Sequence, residues 1–174
     1  MATEVKGALA LRKALLKFEP DLAKATTKEI AGFLKPLVRD ARGYLPSNEE
    51  APSGWLKRDG AKGRWATRYY DSAEARRGIT YKTSPSKANS KGFRSLATIF
   101  NRSAGGAIYE TAGRKSGITG NFTPRLGGQI KGKSAKQSGR ALFRAYTEDE
   151  GKARTGVIRA IEQSAAKFNR RRAI

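Results

Sequence analysis

Ile30-Ala31-Gly32-Phe33-Leu34-Lys35-Pro36-Leu37-Val38-Arg39-Asp40-Ala41 sets the frame for the whole chain. Its apolar residues Ile30, Phe33, Leu34, Leu37, Val38 and Ala41 step by three and four. That spacing puts them on one stripe of an α-helix, with Lys28, Lys35, Arg39 and Arg42 largely elsewhere. Pro36 lies inside the stripe and predicts a kink, because proline lacks an amide hydrogen and its ring presses on the carbonyl four residues back. The residue four back is Gly32, which leaves room for the ring. Upstream, Pro20 suits the first turn of this helix. Phe18-Glu19-Pro20 separates it from a first helix marked by Val5, Ala8, Leu9, Leu15 and Leu16. Downstream, Leu45-Pro46 closes the segment, since a residue before proline is biased out of helix.

Beyond Pro46 the pattern changes. Residues 47–76 are punctuated by Pro, Gly and Ser and carry Trp55, Trp65, Tyr69 and Tyr70, which reads as an extended arm docked by its aromatics. Three short strand-like runs follow, 79–81, 96–100 and 107–111. The Gly-containing 101–106 between the last two suggests a hairpin. Residues 112–139 hold six glycines between Gly113 and Gly132 and little apolar content, the composition of a flexible loop. Thr147 and Glu150 have the spacing of a capping box, so a last helix is expected from there. Val157, Ile161, Ala165 and Phe168 form its stripe, and Arg170-Arg171-Arg172 its basic tail.

The reading is an α+β fold in a single domain, 1–174: long N-terminal helices and a C-terminal helix packed on a small antiparallel sheet, with long basic loops. Its parts are a helical 1–46, the extended arm 47–76, an antiparallel sheet 77–111, a flexible basic loop 112–139, and a C-terminal helix with basic tail 140–174.

Composition narrows the function. There are 36 Lys and Arg against 15 Asp and Glu, a formal net charge of +21. Such an object repels itself, and an anionic partner relieves the repulsion. Histidine and cysteine are both absent. The commonest general base, the commonest zinc ligand and the thiolate nucleophile are therefore missing together. No catalytic, cofactor-binding or metal-binding residue is assigned, and no cofactor or small-molecule substrate is expected. No apolar run is long enough to span a bilayer, and residues 1–17 resemble neither a signal nor a transit peptide, so no membrane partner is expected.

The charge is unevenly placed. Residues 1–50 hold nine basic and seven acidic residues, whereas 75–147 hold fifteen basic residues and one acid, Glu110. Within that segment Lys82, Lys87, Lys91, Arg94, Arg114, Lys115, Arg125, Lys131, Lys133 and Lys136 are the expected anion or partner contacts. They are spaced by Gly, Ser, Asn and Ala, which suits sequence-independent neutralisation of phosphates. Glu110 is expected to pair with a Lys or Arg. Gly127-Gly128-Gln129-Ile130-Lys131-Gly132-Lys133-Ser134 matches a phosphate-binding-loop pattern. It has no buried strand before it, and Gly139 interrupts any helix after it, so nucleotide binding is not inferred. The acids Glu148-Asp149-Glu150 are read as the negative start of the last helix.

Three stretches together resemble the small neck and tail-completion proteins of tailed bacteriophages. The helix ending Leu37-Val38-Arg39-Asp40-Ala41-Arg42-Gly43-Tyr44-Leu45-Pro46 is similar to that family's opening helix, which runs into A-x-x-x-x-P. Tyr109-Glu110-Thr111-Ala112-Gly113 resembles its strand end E-x-G, with one residue added. Ala141-Leu142-Phe143-Arg144-Ala145 and the helix after it are similar to its closing P-F-L-R-P-A plus helix, without the prolines. Residues 47–95 and 114–137 depart from the family. The resemblance implies a virion structural protein, assembled in the host cytoplasm. It implies a homo-oligomeric ring around the DNA channel at the head–tail junction or upper tail. Its partners would be neighbouring portal, adaptor and tail proteins, with the DNA backbone in the channel as a further contact. A lumen that gripped DNA tightly would slow ejection, which points most of the charge at protein partners. The alternative is a free basic nucleic-acid-binding protein of the nucleoid- or ribosome-associated type.

Overall fold

The computed structural model describes residues 7–52, 54–56, 69–92, 94–114, 122–132, 134 and 137–172. Trp65, Phe93, Lys115, Lys133 and Lys136 lie outside them. The fold is α+β, as expected. In chain order the described elements are α1 (Ala8–Phe18), α2 (Pro20–Gly43), α3 (Ser72–Gly78), β1 (Ile79–Lys82), β2 (Thr98–Asn101), α4 (Ala104–Thr111), α5 (Phe122–Arg125), β3 (Lys131–Gly132), β4 (Ser138–Gly139), α6 (Leu142–Glu148) and α7 (Lys152–Arg172). β1 is bonded to β2. β3 pairs antiparallel with β4, Lys131 opposite Gly139 and Gly132 opposite Ser138.

The chain divides into two compact units: Met1–Pro36, Tyr81–Thr98 and Gly151–Ile174 form one, Leu37–Thr80 and Ile99–Glu150 the other. The first is helical at its centre. α1 ends where Glu19 leaves helical geometry at φ −143, and Pro20 opens α2. Leu15, Leu22, Ala23 and Phe168 bring α1, α2 and α7 together, with Leu11 and Ala14 against them. Each such Leu or Phe, removed from water, contributes about 1.5–3 kcal/mol. Gly156 of α7 lies on the ring of Phe33, so the two helices touch where one has no side chain. Thr26 and Ser164 meet in the same interior through their hydroxyls, 2.6 Å apart.

The second unit begins with the rest of the α2 stripe: Leu37, Val38 and Ala41 are all buried. The arm docks by its aromatics. Trp55 and Tyr70 are buried, with ring centroids 4.8 Å apart, and Phe122 meets Trp55 edge-on at 5.2 Å. Tyr70 Oη donates to Pro46 O at 2.7 Å. Arg42 forks onto the carbonyl of Ile79, from Nε at 3.1 Å and Nη2 at 2.7 Å.

Four expectations are corrected. Residues 107–111 are not a strand but the body of α4. Ser103 caps it, its hydroxyl accepting from Gly106 N at 3.0 Å, so there is no hairpin to β2. The helical face of Ile108 and Tyr109 meets the interior as a strand face would, and β-branched and aromatic content misled. One of the three stretches carrying the phage resemblance is therefore helical where that family has a strand. The 47–76 arm ends early, because Asp71 caps α3 by accepting from Glu74 N at 2.8 Å. The 112–139 loop contains α5, β3 and β4. The last helix does not start at Thr147. α6 already runs through it, and Glu150 and Gly151 break the chain at φ 53 and 83 before α7.

Candidate anion-contact surface

The expected cations fall into distinct environments. Lys82 ends β1, exposed. Lys87, Lys91 and Arg94 are exposed on the one loop that joins β1 to β2. Arg125 ends α5, exposed. Arg114 is half-buried, its guanidinium 4.8 Å above the Phe143 ring, and its Nε is buried with no hydrogen-bond partner among the described residues. Lys131 is half-exposed and donates from Nζ to Glu148 Oε1 at 2.7 Å. Lys115, Lys133 and Lys136 are outside the described residues. The loop thus gathers three of the candidates, and Lys131 is spoken for.

Glu110 is buried and its carboxylate faces inward. Oε2 accepts from Ala141 N at 2.7 Å and Leu142 N at 3.0 Å, and Oε1 accepts from Phe143 N at 2.9 Å. These are orphan amides at the start of α6, whose own preceding residue, Ala141, has no side chain to cap them. Its hydrogen-bond partners among the described residues are three backbone donors, and Arg140 adds electrostatic attraction. A carboxylate suits that end of a helix on electrostatic grounds as well. Gly139 has no side chain for a reason, because a Cβ there would overlap the Glu110 carboxylate.

Arg140 works beside it and was not foreseen. Buried, it donates from Nε to Gly127 O at 2.9 Å, from Nη1 to Tyr109 O at 3.1 Å, and from Nη1 to Ala112 O. Burial lowers its pKa from the usual value, opposed by Tyr109 and Glu110. The guanidinium satisfies carbonyls at the end of α4 and in the segment after α5, where no ladder reaches them. Nothing local in the sequence separates this arginine from those on the surface.

Glu148 is the second acid with an internal task. It takes hydrogen bonds from Lys131, from Arg144 Nε at 3.1 Å, and from the hydroxyl of Tyr44. Arg144 stacks over Tyr44 with its guanidinium 3.9 Å from the ring centroid. The Lys131 hydrogen bond first, then those of Tyr44 and Arg144, hold the Glu148 pKa down to about 2 against partial burial. The same contact raises the Tyr44 pKa. The run Glu148-Asp149-Glu150 is therefore a helix end tied to β3 and to the residue after α2, not a helix start.

Among the described residues no three His, Cys, Asp or Glu side chains gather into a group able to hold a metal, and no helix is long and apolar enough to cross a membrane. No family model, curated protein or solved structure matches the chain.

Proposed function

We propose that this chain is a non-enzymatic structural subunit of the head–tail junction or upper tail of a tailed bacteriophage, one copy of a ring around the DNA channel. The observation that carries the reading is the inward turn of Glu110. The one acid of the cationic stretch 75–147 is spent on backbone amides. Lys87, Lys91, Arg94 and Arg125 are exposed with no carboxylate from their own stretch to offset them. Copies of such a surface repel one another, so a closed assembly needs an anionic counterpart, either DNA in a lumen or an acidic neighbouring ring. The opening helix that runs toward Pro46 and the closing helical segment support the phage assignment. The absence of His and Cys supports a structural role.

The ordered cationic loop after β1 also favours the free nucleic-acid-binding reading. Electron microscopy and sedimentation of the purified protein separate the two. A junction subunit forms closed rings, alone or with a neighbouring virion protein. A monomer or dimer with tight, steeply salt-dependent DNA affinity replaces the phage reading with the free binder. Degradation of DNA on addition of magnesium or manganese removes both.

A further inference from the structure

The loop between β1 and β2 is closed at its base by one serine. Ser86 N donates to Ser95 O at 2.9 Å, and Ser95 N donates to Ser86 Oγ at 2.9 Å. The Ser86 hydroxyl itself donates to Lys87 O at 3.0 Å. At the tip, Asn89 takes two amides: Lys91 N on Oδ1 at 2.9 Å and Gly92 N on its carbonyl at 2.9 Å. Gly92 sits at φ 74, which glycine adopts without strain. Arg12 of α1 secures the first residue of the loop, donating from Nη1 to Thr83 O at 2.7 Å. These hydrogen bonds give the segment that carries Lys87, Lys91 and Arg94 a defined shape.

We infer that this loop is a pre-ordered contact for the sugar–phosphate backbone of duplex nucleic acid, with Ser86 as the residue that positions it. The inference rests on the anionic-partner half of the proposed function and is independent of ring formation. The exposed side chains on the described loop positions are mostly Ser, Asn, Lys and Arg, groups that bond phosphate oxygens; of the apolar members Pro85, Ala88, Leu96 and Ala97, Leu96 is half-buried beside Leu11, Leu15 and Ile30. A protein interface of useful affinity centres on large apolar or aromatic anchors, and the exposed positions among the described loop residues supply none. Asn89 is not available for bidentate reading of an adenine edge, because its Oδ1 is already taken by Lys91 N. Three separated cations within eight residues therefore neutralise separate phosphates irrespective of sequence.

Order in the free protein is what makes the loop more than a patch of charge. Fixing a backbone residue on binding costs conformational entropy. A loop already closed by Ser86 avoids most of that loss, so Ser86 strengthens binding without touching the ligand.

The experiment titrates the full-length protein with a short labelled duplex DNA of arbitrary sequence over a range of salt, by fluorescence anisotropy. Replacing Lys87, Lys91 and Arg94 with Ala is expected to flatten the plot of log affinity against log salt by about 2.7, at about 0.9 per phosphate contact. Ser86→Ala keeps the wild-type slope, because no charge is lost, and weakens binding about five- to tenfold. Circular dichroism of both variants matches wild type, since the changes lie on an exposed loop. A triple variant with the wild-type slope overturns the inference, and so does Ser86→Ala with wild-type affinity. If the triple variant instead loses polyglutamate binding while its duplex slope is unchanged, the loop is a contact for acidic protein and the inference is wrong. Sedimentation of wild type decides the ring reading separately.

Discussion

Gly139 backs directly onto the carboxylate of Glu110, and the position has room for nothing larger than hydrogen. The carboxylate cannot step aside cheaply, because three amides at the start of α6 hold it. Gly139→Ala should therefore destabilise the protein by about 2 kcal/mol, the cost of displacing charge-assisted hydrogen bonds from buried amides. A urea titration measures it. Wild-type stability in the alanine variant would mean that the carboxylate is not tied to those amides.

Glu110→Gln tests the same arrangement from the other side. The amide side chain offers one acceptor where the carboxylate offers two, and turns an N–H toward an N–H. The expected loss is about 2 kcal/mol. Because the partners are backbone groups, high salt should weaken wild type and variant alike, leaving the difference nearly constant. A difference that vanishes at high salt would restore a basic side chain as the true partner of Glu110.

The ionic contact at the end of α6 predicts a pH response. Glu148 has its pKa lowered from 4.5 to about 2 in the folded protein. A depressed carboxylate contributes stability that is fully present above its unfolded pKa and is lost as pH falls through the folded one. Glu148 should thus support the fold at neutral pH and release it progressively between about pH 4.5 and 2. The site is partly solvated, so the effect is small, about 1 kcal/mol. Melting temperatures of wild type and Glu148→Gln across that window should converge at the acid end. Parallel curves would show that Glu148 carries no proton-linked stability.

Thr26 and Ser164 share an arithmetic of protons. Thr26 Oγ1 reaches Leu22 O at 2.7 Å, Ser164 Oγ reaches Ala160 O at 2.8 Å, and the two hydroxyls face each other at 2.6 Å. Three contacts share two hydrogens, so one is always incomplete. Ser164→Ala alone should cost about 1 kcal/mol by removing the buried hydroxyl that Thr26 faces, leaving Thr26 with Leu22 O only. Thr26→Val combined with Ser164→Ala removes both hydroxyls at conserved shape and should cost no more than the single change. Denaturant titrations over the double-mutant cycle read the coupling, and strict additivity would show the pair to be independent.

How much of this was legible depended on how local the cause was. The α2 stripe, the Glu19–Pro20 break and the strand at Ile79 follow from spacing and backbone chemistry within a few residues, and each was readable. α4 was not, though Ser103 four residues before Ala107 is an N-cap signal that outranks the β-branched content of 107–111. Gly105 and Gly106 looked like turn residues. They are small because Gly105 lies on the Tyr69–Tyr70 backbone and Gly106 on Asn101 and Ser103. The start of α6 is capped by a carboxylate thirty-one residues upstream, and no window on the sequence contains both. The cationic bias of the middle segment was plain, whereas its division into exposed residues such as Lys91, half-exposed Lys131 tied to Glu148 and buried Arg140 depends on tertiary contacts alone.

The fastening at Ser86 has one more consequence. It is made of a hydroxyl and two amides, all uncharged, while the side chains it presents are basic. Ions in the surrounding solution can dim the field of Lys87, Lys91 and Arg94 without loosening the ring of atoms that carries them. Strength of grip and shape of grip are thereby set by different chemistry, so a change in salt adjusts the first and leaves the second as it was.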